Sequence, residues 1–125
     1  AVGPFSFCLY PARHPVEAYS LVIQCGKAKF VFTGDTNWHD GLIEMCQGAD
    51  LLLADSAFFH AEWSPEKPHL SARLCGELAR KAGAKALLLT HFPPGKDVRA
   101  LEAEARTEFH SARAAGLGES YSIPC

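Results

Sequence analysis

Three residues of this chain combine a metal-binding side chain with a position at the end of an apolar stretch. Asp35 comes in a Thr-Gly-Asp-Thr segment directly after the apolar residues 30–32, and His91 follows Thr90 after the apolar residues 87–89. Sites in open α/β sheets lie beyond the carboxyl ends of the strands, which predicts that Asp35 and His91 share one edge. His14 precedes its strand, but an antiparallel strand brings it to the same edge. Two imidazoles and a carboxylate suit zinc or a similar divalent cation.

Each of these residues also has a simpler interpretation. An aspartate in a Gly-Asp-Thr turn, as at Asp35, commonly bonds its own backbone. A histidine after a strand is more often a loop or core residue than a metal ligand. The joint placement of the three residues is what favours a metal site over these separate interpretations.

The rest of the sequence predicts the elements that hold these residues. Strands are predicted at residues 5–10, 16–24, 29–33, 51–54, 86–90 and 121–123, with the second and third forming a hairpin. Helices are predicted at residues 40–48, at 70–82 before Gly83, and from Val98 to Gly116. Alternating strands and helices predict an α/β layered domain. Residues 51–54 and 86–90 are continuously apolar, which is typical of strands covered on both faces.

Composition narrows the class of protein. A chain of 125 residues is enough for one compact domain. The net charge of −2 does not favour a nucleic-acid surface by bulk charge. No apolar run reaches the roughly 20 residues of a transmembrane helix, and the first residues do not resemble a signal peptide. The five cysteines include no C-x-x-C pair and are expected to be small buried residues in a reducing cytoplasm, with zinc-knuckle or disulfide roles as alternatives.

Five segments resemble, in order, motifs of the metallo-β-lactamase superfamily, in the branch that holds ribonuclease Z and related phosphodiesterases. The segment 14–19 is similar to the one with the third metal-binding histidine, and 32–36 to the one whose aspartate bridges two metals. The segment 54–58 stands where that branch has a His-Glu-Ala-Thr motif, and 69–71 stands where it has His-Ser-Thr. The segment 89–92 resembles the one with the last metal-binding histidine.

The sequence departs from that branch at three points. The signature His-x-His-x-Asp-His motif, which belongs to the N-terminal half of the family's fold, is absent. Residues 19–23 replace a usual Tyr-Gly-Tyr-Arg run, and Asp55 replaces a glutamate. The resemblance therefore implies that residues 1–125 form the C-terminal portion of the domain, half of a four-layer αββα sandwich with a mixed sheet covered by helices.

The resemblance also implies a ligand set and a reaction. His14 and His91 would each serve one of two divalent metal ions, most often zinc with manganese or iron as alternatives, and Asp35 would bridge them. His69, oriented by Asp55, would be the acid at the leaving group. The implied activity is hydrolysis of a small-molecule or nucleic-acid phosphodiester.

Two other functions remain open from the sequence. The same fold also hydrolyses carboxylic or sulfuric esters, lactones and thioesters. The isolated chain could instead be folded but catalytically incompetent, because the His-x-His-x-Asp-His half is missing. We also expect a homodimer or larger assembly, since helices can cover only one face of the predicted sheet. No membrane partner is expected.

Overall fold

The computed structural model describes residues 2–124, which form one sheet with helices on one side. The strands are β1 (Phe5–Pro11), β2 (Tyr19–Cys25), β3 (Ala28–Phe32), β4 (Leu51–Asp55), β5 (Leu87–Thr90) and β6 (Arg113–Ala114). The helices are α1 (Leu42–Cys46), α2 (Ala72–Ala82) and α3 (Val98–Arg106), and a 3-10 helix spans His60–Glu62.

The sheet is mixed and its strands lie in chain order, β1-β2-β3-β4-β5-β6. β1, β2 and β3 pair in antiparallel fashion, whereas β3, β4, β5 and β6 run parallel. The carboxyl ends of β3, β4 and β5 therefore lie at one edge. Because β2 is antiparallel to β3, the loop between β1 and β2 lies at that edge too. This mixed α/β half-sandwich confirms the predicted fold class.

One face of the sheet is buried under the helices. Its side chains come from alternate positions of β2 to β5 and are at most 5% exposed: Val22, Val31, Leu52, Ala54, Leu87 and Leu89. Helix α2 packs between α1 and α3 and contacts β4 and β5. Alternation along each strand sends the remaining apolar side chains to the opposite face.

The opposite face of the sheet, which we call the open face, is apolar and partly exposed. In β1, Phe7 and Leu9 are 47% and 64% exposed. An apolar groove of about 520 Å³ crosses this face between Phe30, Leu53 and the C-terminal residues Tyr121 and Ile123. The side chains that share this face with Phe7 in β1, β2 and β3 are uncharged, whereas Asp55 at the end of β4 and Arg113 in β6 are the charged positions on it.

Helix α2 has the boundary signals expected of a stable helix. The Ser71 hydroxyl accepts a hydrogen bond from the Leu74 amide at 3.1 Å, which caps the N-terminus. Gly83 ends the helix in the left-handed conformation, with φ of 69°. The predicted C-terminal boundary is therefore confirmed. No helix among residues 2–124 is both long enough and apolar enough to cross a membrane.

The C-terminal part of the chain differs from the prediction. Helix α3 ends at Arg106 rather than continuing to Gly116, and the Arg106 side chain donates to the Ala112 carbonyl at 2.8 Å across the turn that follows. The last strand is β6, beside β5, and the strand predicted at residues 121–123 is wrong. After Arg106, Ala112 lies in the hydrophobic core and Phe109 packs against it from irregular backbone, so their helical spacing does not indicate a helix.

The described cysteines have different environments. Cys46 and Cys75 are buried free thiols, as expected, whereas Cys8 is a free thiol exposed on the edge strand β1. Cys25 is disulfide-bonded, which differs from the expectation of reduced thiols throughout. Burial raises the pKa of the Cys46 thiol to about 12, so this thiol is neutral at physiological pH.

Candidate metal centre

The loops at the carboxyl edge of the sheet bring four potential ligands together. Asp35 follows β3, Asp55 ends β4, His91 follows β5, and His69 precedes α2. One ligand-type atom from each of these four residues lies within 4.8 Å of those of the others. Residues separated by up to 56 positions thus converge because parallel strands end at one edge.

Two histidine–carboxylate pairs organise this group. His69 Nδ1 lies 2.5 Å from Asp55 Oδ2, and His91 Nδ1 lies 2.6 Å from Asp35 Oδ1. His91 Nδ1 is also 3.7 Å from Asp55 Oδ1, which links the two pairs. A carboxylate that is hydrogen-bonded to one ring nitrogen fixes the orientation of the ring. The other ring nitrogen is then available to bind a metal ion or transfer a proton.

His14 lies next to this group but outside it. Its ring meets the His69 ring edge-on, with centroids 5.6 Å apart, and the His69 ring in turn meets the His91 ring at 4.7 Å. The three imidazoles therefore lie in a row at the carboxyl edge. All five residues singled out from the sequence are found there.

The buried end of the site is built around Asp55, which is 1% exposed. Its amide donates to Thr33 Oγ1 at 3.0 Å, and its Oδ2 accepts from the Thr36 amide at 3.2 Å. Asp35, whose side chain is 45% exposed, forms the open end. The group thus has one carboxylate fixed in the interior and one accessible to solvent and to a substrate.

Burial changes the acid–base properties of the inner pair. It raises the pKa of Asp55 to about 8, against the opposing effect of the nearby His91. Burial also lowers the pKa of His69, against the opposing effect of Asp35. Both shifts disfavour the charged forms, so burial favours a neutral Asp55–His69 pair over an ion pair.

The residues present fit a divalent cation. Among the described residues, Asp55 Oδ1 is buried without a hydrogen-bond partner. A buried carboxylate oxygen without a partner is costly, and a cation in the group would satisfy it. Mixed carboxylate and imidazole ligands suit zinc, manganese or iron. Each zinc normally takes three or four protein ligands, so these residues hold one ion more readily than two.

His91 has a strained backbone conformation that its residue type and neighbours do not predict. Among residues 2–124, it is the one residue other than glycine with a positive φ, at 63°. The left-handed conformation costs a non-glycine residue about 1–2 kcal/mol. Such strain at a cluster of titratable groups is typical of functional sites, and the strained residue here is the one whose ring bonds Asp35.

Sequence comparison supports the same interpretation of the fold. Residues 5–92 match the sequence model of a family described as the beta-lactamase superfamily domain. An uncharacterised protein of Mycobacterium leprae is 36% identical over 112 residues, which is 88% of this chain and 39% of that protein. The probable metallo-hydrolase YhfI of Bacillus subtilis is 33% identical over 108 residues, covering 86% of this chain and 44% of YhfI. A ribonuclease Z of Trichodesmium erythraeum is 38% identical over 104 residues, covering 77% of this chain and 32% of that enzyme.

Solved structures agree with the sequence comparison. The crystal structure of B. subtilis YhfI, a metallo-β-lactamase fold protein, has a TM-score of 0.85 at 32% identity and covers 91% of this chain and 48% of YhfI. Human tRNase Z, short form, has a TM-score of 0.64 at 25% identity and covers 71% of this chain and 36% of that enzyme. The chain thus spans less than half the length of these relatives. It belongs to the metallo-β-lactamase superfamily, with a mixed sheet that carries a candidate metal-binding group.

Proposed function

We propose that this chain forms the part of a binuclear metal-dependent phosphodiesterase that carries its acid and some of its metal ligands. The observation that carries the proposal is the four-residue group with ligand-type atoms within 4.8 Å, with the His14 ring beside it. The matches to a ribonuclease Z and to tRNase Z support phosphodiesters, of a small molecule or a nucleic acid, as the substrate class.

In this proposal His14, His91 and Asp35 would hold the zinc ions. Bound zinc ions supply a hydroxide near neutral pH and polarise the scissile phosphoryl group. The exposed position of Asp35 suits a ligand that faces the substrate, since its carboxylate lies at the open end of the site. The buried Asp55 keeps the inner side of the site in one arrangement through its contacts with Thr33 and Thr36.

His69 is the proposed general acid. Its Nδ1 is held by Asp55 Oδ2, so the opposite ring nitrogen, Nε2, is oriented and can carry the transferable proton. As the bond from phosphorus to the leaving oxygen breaks, that proton passes from His69 Nε2 to the oxygen. When Asp55 is protonated, its carboxyl donates to His69 Nδ1 and fixes the neutral tautomer that carries its proton on Nε2. As Nε2 gives up that proton, the Asp55 proton can pass to Nδ1, so the ring stays neutral.

A specific observation also favours a second candidate, in which the isolated chain is folded but inactive. The chain covers less than half of its relatives, and its five site residues are too few for two complete zinc sites. We therefore propose that the 125-residue chain alone is a folded part of the enzyme without turnover, and that activity requires the remainder of the fold.

A chimera tests the proposal for the complete fold. The region of B. subtilis YhfI that matches this chain would be replaced by residues 1–125, and hydrolysis of bis(p-nitrophenyl) phosphate would be compared with that of carboxylic, sulfate and thioester substrates. His69→Ala should lower phosphodiester turnover about 10²–10⁴-fold while zinc content is retained. His110→Ala, at an exposed position after α3, is the matched control.

Two results would contradict this proposal. A folded, zinc-loaded chimera that cleaves an ester or thioester but no phosphodiester would show that the substrate class is wrong. Equal loss of zinc and turnover in the His69→Ala variant would make His69 a metal ligand instead of the acid.

A further inference from the structure

Three of the site residues lie on loops whose relative positions the sheet alone does not fix. His14 lies between β1 and β2, Asp35 between β3 and α1, and His69 between the 3-10 helix and α2. Asp55 and His91, by contrast, end or directly follow paired strands. Something other than strand pairing must therefore set the first three side chains against one another.

Asn37 lies where these three loops meet and is fully buried. Its Nδ2 donates to the carbonyls of residues 64, 65 and 67, on the loop that leads to His69. Its Oδ1 accepts from the Trp38 amide at 2.7 Å and from Trp63 Nε1 at 2.8 Å. The side-chain amide of Asn37 thus forms buried hydrogen bonds through both its nitrogen and its oxygen. These bonds connect the loop after β3 with the loop that leads to His69.

Trp63 extends the connection to His69 itself. The indole Nε1–H that donates to Asn37 Oδ1 also lies 3.1 Å from the His69 carbonyl. The ring of Trp63 packs against the hydrophobic core, so the donor is held in place. The backbone of His69 is therefore connected to Asn37 through one fixed side chain.

The loop that carries His14 is joined to the Asn37 segment by hydrogen bonds of its backbone. The Asn37 amide donates to the Arg13 carbonyl at 2.9 Å, and the Arg13 amide donates to Thr36 Oγ1 at 2.9 Å. Arg13 is the residue before His14. Its guanidinium also donates to the carbonyls of Trp38 and Pro65, which ties the same loops from the outside.

We propose that Asn37 is a positioning residue that sets the relative arrangement of the loops carrying His14, Asp35 and His69. Asn37 is not a metal ligand or an acid, since both its Nδ2 and its Oδ1 already form hydrogen bonds within the protein. An amide meets the requirement: a carboxylate at this position would face carbonyl oxygens without a donor, and an apolar side chain would leave the Lys67 carbonyl and the Trp38 amide without the partners that Asn37 supplies.

The test compares Asn37→Asp and Trp63→Phe with Leu101→Ala. Asn37→Asp removes the donor but keeps the acceptor, and Trp63→Phe removes only the indole donor and preserves most of the ring. Leu101 is fully buried in α3, so its truncation destabilises the chain without touching the three loops. Comparing the variants with this control separates a positioning role from a general loss of stability.

The first measurement needs no metal. Nuclear Overhauser contacts between the His14 and His69 rings, whose centroids are 5.6 Å apart, should be lost in Asn37→Asp and weakened in Trp63→Phe. The amide resonances of the β4–β5 ladder should stay unchanged, and Leu101→Ala should keep the ring contacts. Retention of the contacts in Asn37→Asp, or their equal loss in Leu101→Ala, would overturn the inference.

The second measurement uses Zn²⁺ alone and rests on the proposed function. Zinc affinity by calorimetry should fall about 10–100-fold in Asn37→Asp, the usual effect of removing a group that orients ligands, and should stay unchanged in Leu101→Ala. Equal zinc affinity in Asn37→Asp and the unmodified chain would overturn the inference. If the unmodified chain binds no zinc but Asn37→Asp loses the ring contacts, the positioning role stands, and absence of zinc from the folded YhfI chimera as well would contradict the proposed function.

Discussion

Gly34 offers a direct test of how the backbone places Asp35, the next residue in the chain. Gly34 has φ of 60°, and a Cβ built on it would lie 2.6 Å from the carbonyl oxygen of Tyr19. The loop after β3 thus passes against the backbone of β2, where no side chain fits. Replacing Gly34 with alanine should destabilise the fold and displace Asp35 from His91.

The expected magnitude has two parts. Adopting the left-handed conformation costs an alanine about 1–2 kcal/mol. The contact with the Tyr19 carbonyl involves backbone on both sides, so no side chain can rotate away, and overpacking of this kind costs about 1–3 kcal/mol. Together these predict that Gly34→Ala lowers the free energy of unfolding by about 2–5 kcal/mol.

Gly83→Ala is the matched control. Gly83 also has a positive φ, at 69°, but a Cβ there meets nothing within 4 Å. The Gly83→Ala variant therefore measures only the cost of the left-handed backbone conformation, about 1–2 kcal/mol. Urea unfolding of both variants at one protein concentration measures the difference, and the His91 ring resonances report whether the Asp35 hydrogen bond survives. Equal destabilisation by the two variants, or an unchanged Asp35–His91 bond in Gly34→Ala, would refute the reasoning.

Two further predictions concern the isolated 125-residue chain. It should bind Zn²⁺ weakly and show no phosphodiesterase turnover, because its site residues do not complete two zinc sites; tight, stoichiometric zinc with activity would contradict this. We also propose that it self-associates as a homodimer or larger through the open face, because exposed apolar surface of this kind is unusual in a monomer. Phe7→Lys, on that face of β1, should reduce the mass seen by light scattering, whereas Ser6→Lys, on the other face of the same strand, should not. A stable monomer before substitution would disprove the self-association.

The sequence was sufficient for those parts of the site that follow from strand topology. Asp35 and His91 were expected at one edge because each follows an apolar strand, and parallel pairing of β3, β4 and β5 places them there. Helix α2 was similarly predictable, since the spacing of its apolar residues and the glycine at its end are local signals. These features depend on neighbouring residues or on a general property of parallel sheets.

The features that the sequence did not reveal depend on contacts between distant segments. Asn37 is an ordinary turn residue by type, and its role appears only when the loops before His14 and His69 pack around it. The left-handed backbone of His91 is maintained by its surroundings, against its own preference. The segment after Arg106 has helical spacing, but packing against β5 prevails over that local pattern.

The open face is uncovered and the set of metal ligands is incomplete. A second copy of the chain could cover the open face but could not complete the set of ligands. The part of the open face formed by β1, β2 and β3 is apolar and can pack against its own copy without charge repulsion, which would remove its apolar side chains from water. A second copy brings no new type of ligand, however, because the His-x-His-x-Asp-His motif is absent from these 125 residues. Self-association and zinc affinity should therefore be independent: Phe7→Lys should change the mass of the assembly and leave zinc binding as weak as before. If zinc affinity fell together with the mass, the two copies would have to share a site, and the metal ligands would have to be assigned across the interface.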